Sequence, residues 1–344
     1  MKSEFNIKDP KWAHPTFAEK WDMSGQTDND IFFDTTKTLE EKTAVANEMA
    51  KMLVNMVRAG QEGQEEVCDV SVYHVAGCPE EPEAEVEMRL YRPKTLKSKK
   101  ARVLFYCMGG ALITRVPEIF GLEGMSVKYN CVVATILFRR SWEAPYPAAI
   151  NDLHAGYQYL TEHAQELKIS PDNIVIMGGS SGGHLALSLG FRLKRYHYSP
   201  KGIVAITPQT DERVNELLGC RIVNGAWDGP AQRKALKYWL RGCGDDAAVG
   251  PEALANHASV EDCIGYPPVF IHTVEFDPDR DFNREFYGKI LEAKSFAEYH
   301  CWGGAHHAST SDLANPVVIR MQEIIDANTA DLFQYDLRRP WVEE

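Results

Sequence analysis

Two adjacent serines, Ser180 and Ser181, sit inside a run of glycines, and their surroundings decide what they could do. The stretch Asn173 to Leu189 reads NIVIMGGSSGGHLALSL. Ile174 to Met177 are continuously apolar, as a strand buried on both faces would be. Leu185, Leu189 and Leu193 recur every fourth residue, one stripe of a helix. Small residues from Gly178 to Gly183 join the two. Strand, tight turn and helix are the setting in which G-x-S-x-G holds a nucleophilic serine on a strained elbow, above a helix N-terminus that favours negative charge. The bare pattern occurs by chance in roughly one chain of this length in ten, so the setting carries the reading. Both serines satisfy the spacing. Ser180 is preferred because Gly178 directly follows the apolar run. A phosphate-cradling Walker loop would need G-K-[ST], which is missing.

These residues bear a family likeness. GGSSGGHLAL resembles the GDSAGG elbow of the hormone-sensitive-lipase-like α/β-hydrolases, with Gly179 where that family usually has an acidic residue. EVEMRLYRP (85–93) resembles the strand before the family's catalytic machinery. RVLFYCMGGAL follows, and its strand end corresponds to the family's H-G-G-G, whose backbone N–H groups form part of an oxyanion hole. Here Cys107 replaces the histidine and Met108 the first glycine, while Gly109 and Gly110 remain. RRSWEAPYPAAINDL is similar to the Y-R-L-A-P-E-x-P-[FY]-P-A-A segment, matching at Arg139, Glu143, Pro145, Tyr146 and Pro147. Trp142 departs from it, standing where proline is usual.

Two further motifs complete the set. EFDPDRDF corresponds to D-P-L-R-D, and the resemblance gives Asp277 the role of triad acid. GGAHHAS corresponds to G-x-x-H, and the register places the general base at His306, with His307 beside it. The order Ser, Asp, His is the one α/β-hydrolases use. Asp277, Asp279 and Asp281 also open like a calcium loop, but Phe282 and Gly288 stand where that loop needs glycine and a bidentate glutamate. Asp279 and Asp281 also fit an acidic helix N-terminus.

Charge and length bound the rest. A chain of 344 residues with 44% hydrophobic and 25% charged residues can bury a full core. A net charge of −12 argues against a nucleic-acid or anionic-membrane partner. Apolar runs are strand-sized, so no transmembrane helix is expected. The N-terminus, MKSEFNIKDPKW, lacks the apolar core of a signal peptide. Eight cysteines without C-x-x-C spacing read as reduced cytosolic thiols, giving a cytoplasmic expectation. No H-E-x-x-H or similar cluster is present, so neither metal nor cofactor is expected. The resemblance allows a homodimer.

The elements that must position these residues follow from periodicity. Thr38 and Glu41 make a capping box. Val45, Met49, Met52, Leu53, Met56 and Val57 then form one helical face, which plain packing explains best, and Gly60 ends it. Alternation over Cys68–Ala76 and Glu85–Arg92 suits antiparallel strands. Strands are read at Val103–Tyr106, Val132–Phe138, Ile203–Ile206, Val269–Val274 and Phe296–Trp302, with helices between, so the sheet is mostly parallel with helices on both faces. Residues 210–265 interrupt the alternation, with a helix near Ala231 to Arg241 and joints such as GCGDD. With residues 1–60 they are expected to form a helical cap over a catalytic domain of residues 61–209 and 266–344. Trp227, Tyr238 and Trp239 could line a pocket there or pack the cap.

The function that the resemblance implies is serine carboxylesterase chemistry on short-to-medium acyl or small aromatic esters. Ser180 attacks, His306 takes its proton and Asp277 orients the imidazole. Gly109, Gly110 and Ser181 supply oxyanion N–H groups, each worth about 3 kcal/mol. An amide or formamide hydrolase would need the same residues. A lyase, cyclase or small-molecule binder on the same fold stays open, favoured by the altered CMGG loop.

Overall fold

The computed structural model describes residues 4–7, 9–20, 30–59, 66–213, 217–223, 227–243 and 249–339. Among the described residues the strands are β1 (Phe5–Asn6), β2 (Cys68–Ala76), β3 (Glu85–Pro93), β4 (Ala101–Cys107), β5 (Val132–Ile136), β6 (Ile169–Gly179), β7 (Gly202–Ile206), β8 (Ile222–Val223), β9 (Val269–Phe276) and β10 (Ala297–His306). The α-helices are α1 (Asp30–Phe33), α2 (Leu39–Ala59), α3 (Leu122–Lys128), α4 (Ala148–Glu162), α5 (Ser181–Arg195), α6 (Leu218–Arg221), α7 (Gly229–Trp239), α8 (Val260–Cys263), α9 (Arg280–Glu292) and α10 (Pro316–Gln334).

Eight strands form one sheet in the order β10-β9-β7-β6-β4-β5-β3-β2. All pairings from β10 to β5 are parallel, and β3 and β2 join antiparallel at one edge. Side-chain pattern explains the division. Val103–Phe105, Val132–Ala134, Ile174–Ile176 and Ile203–Ala205 are completely buried, because helices cover both faces of a parallel strand. In β3, Val86, Met88 and Leu90 turn inward while the residues between them are more exposed, the two-residue period of a half-covered strand. The edge strand β2 is mostly exposed.

The chain reverses direction of travel across the sheet at β4, which lies between β5 and β6. A crevice outside the carboxyl ends of the strands opens at such a point. Helices flank the sheet in tied pairs. Arg192 of α5 donates to Asn151 of α4 at 2.8 Å, and Tyr129, just after α3, donates to Asp326 of α10 at 2.6 Å. One ionic knot holds the segment between β5 and α4. Arg139 makes a two-pronged contact with Glu81 at 2.6 Å on each arm and donates to the buried Asp152 at 2.7 Å.

The N-terminal segment and the insertion meet. β1 pairs in parallel with β8, Phe33 packs edge-on to Tyr238, and Lys42 donates to the Tyr238 hydroxyl at 2.7 Å. The capping box forms as expected, with Glu41 accepting from the Thr38 N–H at 2.8 Å and Thr38 Oγ1 accepting from the Glu41 N–H at 3.2 Å. The methionine face differs from expectation. Met52 and Met56 are exposed, because α2 rests on the flank carrying Lys42 and Ala46, against Phe32, Ile113 and Trp142. Gly60 and residues 244–246 of the GCGDD joint lie outside the described residues. No helix among the described residues is long and apolar enough to cross a membrane.

Two predictions follow from this packing. Arg139→Met strands the buried Asp152 carboxylate and should cost about 3 kcal/mol in urea unfolding. Adding Asp152→Asn should recover part of the loss. Burial also pushes the imidazoles of His154, His184 and His272 down, to about 4, 3 and 3. Unfolded, each binds a proton near the ordinary 6.5; folded, each stays neutral until far lower pH. Stability should therefore fall as pH drops from about 6.5 toward 4, by up to about 1.4 kcal/mol per pH unit for each histidine. His272→Gln should flatten that slope by about one proton, read from unfolding curves at a series of pH values.

Candidate active site

The nucleophile candidate stands where β6 turns into α5. Ser180 has φ 57° and ψ −127°, a strained backbone for a residue with a Cβ. Neighbouring contacts enforce it. Its N–H donates to Ile206 O at 2.8 Å and its carbonyl accepts from the His184 N–H at 3.1 Å. The glycines around it are required by contact. A Cβ on Gly178 would lie 2.2 Å from Gly182 O, and one on Gly182 would lie 2.1 Å from Cys107 O. The elbow therefore closes against both its own helix and the end of β4.

Ser180 Oγ lies 2.9 Å from Nε2 of His307, and Nδ1 of the same ring lies 2.7 Å from Asp277 Oδ2. Asp277 follows β9 and His307 follows β10, so the three side chains come from the carboxyl ends of β6, β9 and β10. With the Nδ1 proton directed to the carboxylate, Nε2 presents its lone pair to the serine hydroxyl.

The expectation had His306 facing Ser180, and the structure puts His307 there. His306 is the last residue of β10, paired with Phe276 and buried, while His307 is the ring that bridges Ser180 and Asp277. The chain is irregular here, and it leaves the strand at His306 to begin a short helical turn at His307. Between Trp302 and His306 the strand carries extra residues against Val274 to Phe276, and Gly304 takes φ 68°. Successive strand residues point to opposite sides, so one residue of slip exchanges which imidazole faces the elbow. The same geometry separates the serines. Ser181 Oγ accepts the Leu112 N–H at 3.2 Å and is fully buried.

The loop after β4 lies beside the nucleophile. A Cβ on Gly109 would fall 2.6 Å from Gly179 O and 3.7 Å from the Ser180 Cβ, and Gly110 takes φ 106°. Ser181 opens α5, where the first N–H groups have no partner within the helix. Gly109 and the Ser181 amide thus lie beside Ser180, and Gly110 follows Gly109 in the same loop. Cys107 sits fully buried as the last residue of β4, and burial pushes its thiol far up. The loop is braced in other ways. Ile113 and Thr114 N–H groups return to Gly110 O at 2.9 and 3.2 Å, the Ser141 N–H reaches Leu112 O at 2.7 Å, and the Trp142 indole N–H reaches Ile113 O at 3.0 Å. Sequence reading passed over Trp142 as a mere departure.

Asp277 has its own support. Asp277 Oδ1 accepts the Asp279 N–H at 2.9 Å. Asp279 is fully buried, accepting from the Thr210 N–H at 3.0 Å and from the Gln232 amide. Burial and then neighbouring Asp277 push its carboxyl well above the ordinary range. Gln232 also accepts from the Trp227 indole at 3.2 Å, and the Trp227 ring lies 6.0 Å from the His307 ring. The insertion thereby reaches His307 through Trp227 and Asp277 by way of Gln232 and Asp279. Tyr238 is half-buried against Lys42, while Trp239 is completely buried, edge-on to His184 and Tyr146. Of the three aromatics expected in the insertion, Trp227 is the one beside His307.

Comparison with known proteins agrees with this architecture. An acetyl esterase of Salmonella schwarzengrund is 28% identical over 233 residues, covering 66% of this chain and 70% of its own. Among solved structures, a bacterial heroin esterase superposes with a TM-score of 0.78 at 22% identity, covering 94% of this chain and 99% of its own. A thermostable esterase from Pseudomonas putida superposes with a TM-score of 0.72 at 17% identity, covering 95% and 98%. The model of a family described by the alpha/beta hydrolase fold matches residues 105–311, a span that holds Ser180, Asp277 and His307. The chain belongs to the alpha/beta-hydrolase fold family, whose hormone-sensitive-lipase-like branch its motifs resemble.

Proposed function

We propose that this carboxylic ester hydrolase works through an acyl-enzyme on Ser180, with His307 as general base and Asp277 as the acid that orients it. The observation that carries the reading is the continuous path Ser180 Oγ, His307 Nε2, His307 Nδ1, Asp277 Oδ2, with contacts of 2.9 and 2.7 Å. His307 removes the serine proton as Oγ attacks the ester carbonyl. Asp277 then stabilises the imidazolium without taking its proton. The amides of Gly109, Gly110 and Ser181 receive the oxyanion as the carbonyl carbon becomes tetrahedral. His307 returns the proton to the leaving alcohol. Water, activated by the same imidazole, releases the acid.

Substrates are small esters with short-to-medium acyl chains or small aromatic acyl groups. The similarity to an acetyl esterase and the approach of Trp227 to His307 support this reading. We assign the cap role to the N-terminal segment and residues 210–265, which meet through β1–β8 and through Tyr238. A series of p-nitrophenyl esters of increasing acyl length tests the preference: kcat/KM should peak at short chains and fall steeply for long ones. A flat profile would contradict it.

Kinetics on p-nitrophenyl acetate test the roles. Ser180→Ala should lower kcat by about 10⁴ or more, and Asp277→Asn by about 10⁴. Ser181→Ala removes a brace but no reacting group, so it should stay within about tenfold of the parent. Gly109→Ala pushes the loop off Gly179 O and should cost about 10² in kcat. Trp142→Phe keeps the ring and deletes the N–H to Ile113 O. It should lower kcat up to about tenfold with KM nearly unchanged.

A further inference from the structure

Outside the active site, the turn between β2 and β3 carries a second cluster of groups suited to chemistry. The Glu81 N–H closes on Cys78 O at 2.9 Å, and a Cβ on Gly77 would lie 1.9 Å from Glu81 O, so the turn is tight. It brings Cys78 and Glu80 against His154, in the middle of α4. Cys78 Sγ lies 3.2 Å from Glu80 Oε2, and His154 Nδ1 lies 3.5 Å from the same oxygen. One ligand atom from each residue falls within 4.8 Å of both others. Ligands at about 2.0–2.3 Å around a tetrahedral centre stand about 3.3–3.8 Å apart; the two contacts to Glu80 Oε2 are close to that spacing, and the Cys78–His154 pair lies within 4.8 Å.

His154 is completely buried, yet its Nε2 has no hydrogen-bond partner among the described residues and its Nδ1 meets only Glu80 Oε2, at the long distance of 3.5 Å. A buried polar group without a partner costs about 1–3 kcal/mol, so its retention asks for a reason. The two oxygens of Glu80 divide their work. Oε1 accepts from Tyr196 and Arg195 at 2.6 Å each, with Arg192 at 3.4 Å. Oε2 is turned to Cys78 and His154. Glu252 shares the same two arginines, at 2.5 Å from Arg192 and 2.7 Å from Arg195. Two arginines therefore face two carboxylates, and a thiolate at Cys78 would add one unbalanced negative charge for a cation to take.

We propose that Cys78, Glu80 and His154 form a site for a thiophilic divalent cation such as Zn²⁺, with water as fourth ligand. Binding displaces the Cys78 thiol proton to solvent. Burial, with Glu80 beside it, pushes that thiol up to about 11 in the metal-free protein, and a coordinated cation reverses this. His154 binds in its neutral form, which burial already favours. Arg195 and Tyr196 on Glu80 Oε1 fix the carboxylate so that Oε2 faces the metal. The bound ion would pin the β2–β3 turn to α4 and, through Arg195 and Tyr196, to the end of α5.

Cd²⁺ is the probe, because its thiolate complexes absorb in the ultraviolet. Reduced, chelator-treated full-length protein should develop a thiolate–Cd²⁺ band that saturates at one ion per chain. Cys78→Ser should abolish the band, and Cys301→Ser, which removes an exposed thiol, should leave it. Glu80→Gln and His154→Gln should each weaken binding at least tenfold while keeping Cys78. Zn²⁺ should raise the thermal midpoint of the parent protein and not that of Cys78→Ser. Retained hydrolysis of p-nitrophenyl acetate shows that each variant is folded. The other candidate cluster among the described residues, Asp211, Glu212 and His257, has no thiol and gives no such band. Absence of the band in the parent protein would overturn the proposal, as would a band of undiminished strength in Cys78→Ser or in both Glu80→Gln and His154→Gln.

Discussion

The structure depends on a single strained residue. Ser180 is held at φ 57° by close approach of three backbones: the end of β4, the end of β6 and the first turn of α5. Only glycine permits those approaches at 178 and 182, where any Cβ would strike a carbonyl oxygen. The strain is small beside the burial of β4, β6 and β7, whose inner residues are fully covered. The packed sheet therefore imposes the elbow, and the elbow fixes where the other groups must arrive.

Those groups arrive from the same edge. Strand order puts β4 next to β6, and β9 and β10 follow beyond β7. The loop after β4 meets the elbow directly. Asp277 and His307 come from farther along the sheet, at the ends of β9 and β10. The insertion adds support to the acid through Gln232 and Asp279. Two departures from the family pattern bear on the loop after β4, one at the strand end and one from the segment between β5 and α4. Cys107 replaces a histidine that usually braces it, and Trp142 replaces a proline and donates to Ile113 O. Arg140 lies over the Trp142 ring at 4.0 Å and Phe32 packs beside it. Rigidity lost at one position is supplied from another.

Much of this was legible in the residues. Long apolar runs marked the parallel strands because burial on both faces leaves no room for alternation. Ser180 and Asp277 stood next to such runs, so counting from the strand ends picked out two side chains that the structure brings to one imidazole. His306 was misplaced for the same reason that counting works elsewhere. An irregular strand end with Gly304 at φ 68° has no distinctive composition, and a slip of one residue changes the ring that faces the elbow. The exposure of Met52 and Met56 was hidden for a related reason: helical periodicity shows a stripe but not which flank of it meets a neighbour. Trp142, Gln232 and Asp279 act through contacts between segments far apart in the chain, which spacing does not encode.

The most direct measurement is covalent labelling with a fluorophosphonate, followed by peptide mapping, in the parent protein and in His306→Ala and His307→Ala. The account predicts a single adduct on Ser180, formed at near-parental rate in His306→Ala and lost in His307→Ala. An adduct on Ser181, or labelling that survives loss of His307 and fails on loss of His306, would contradict it.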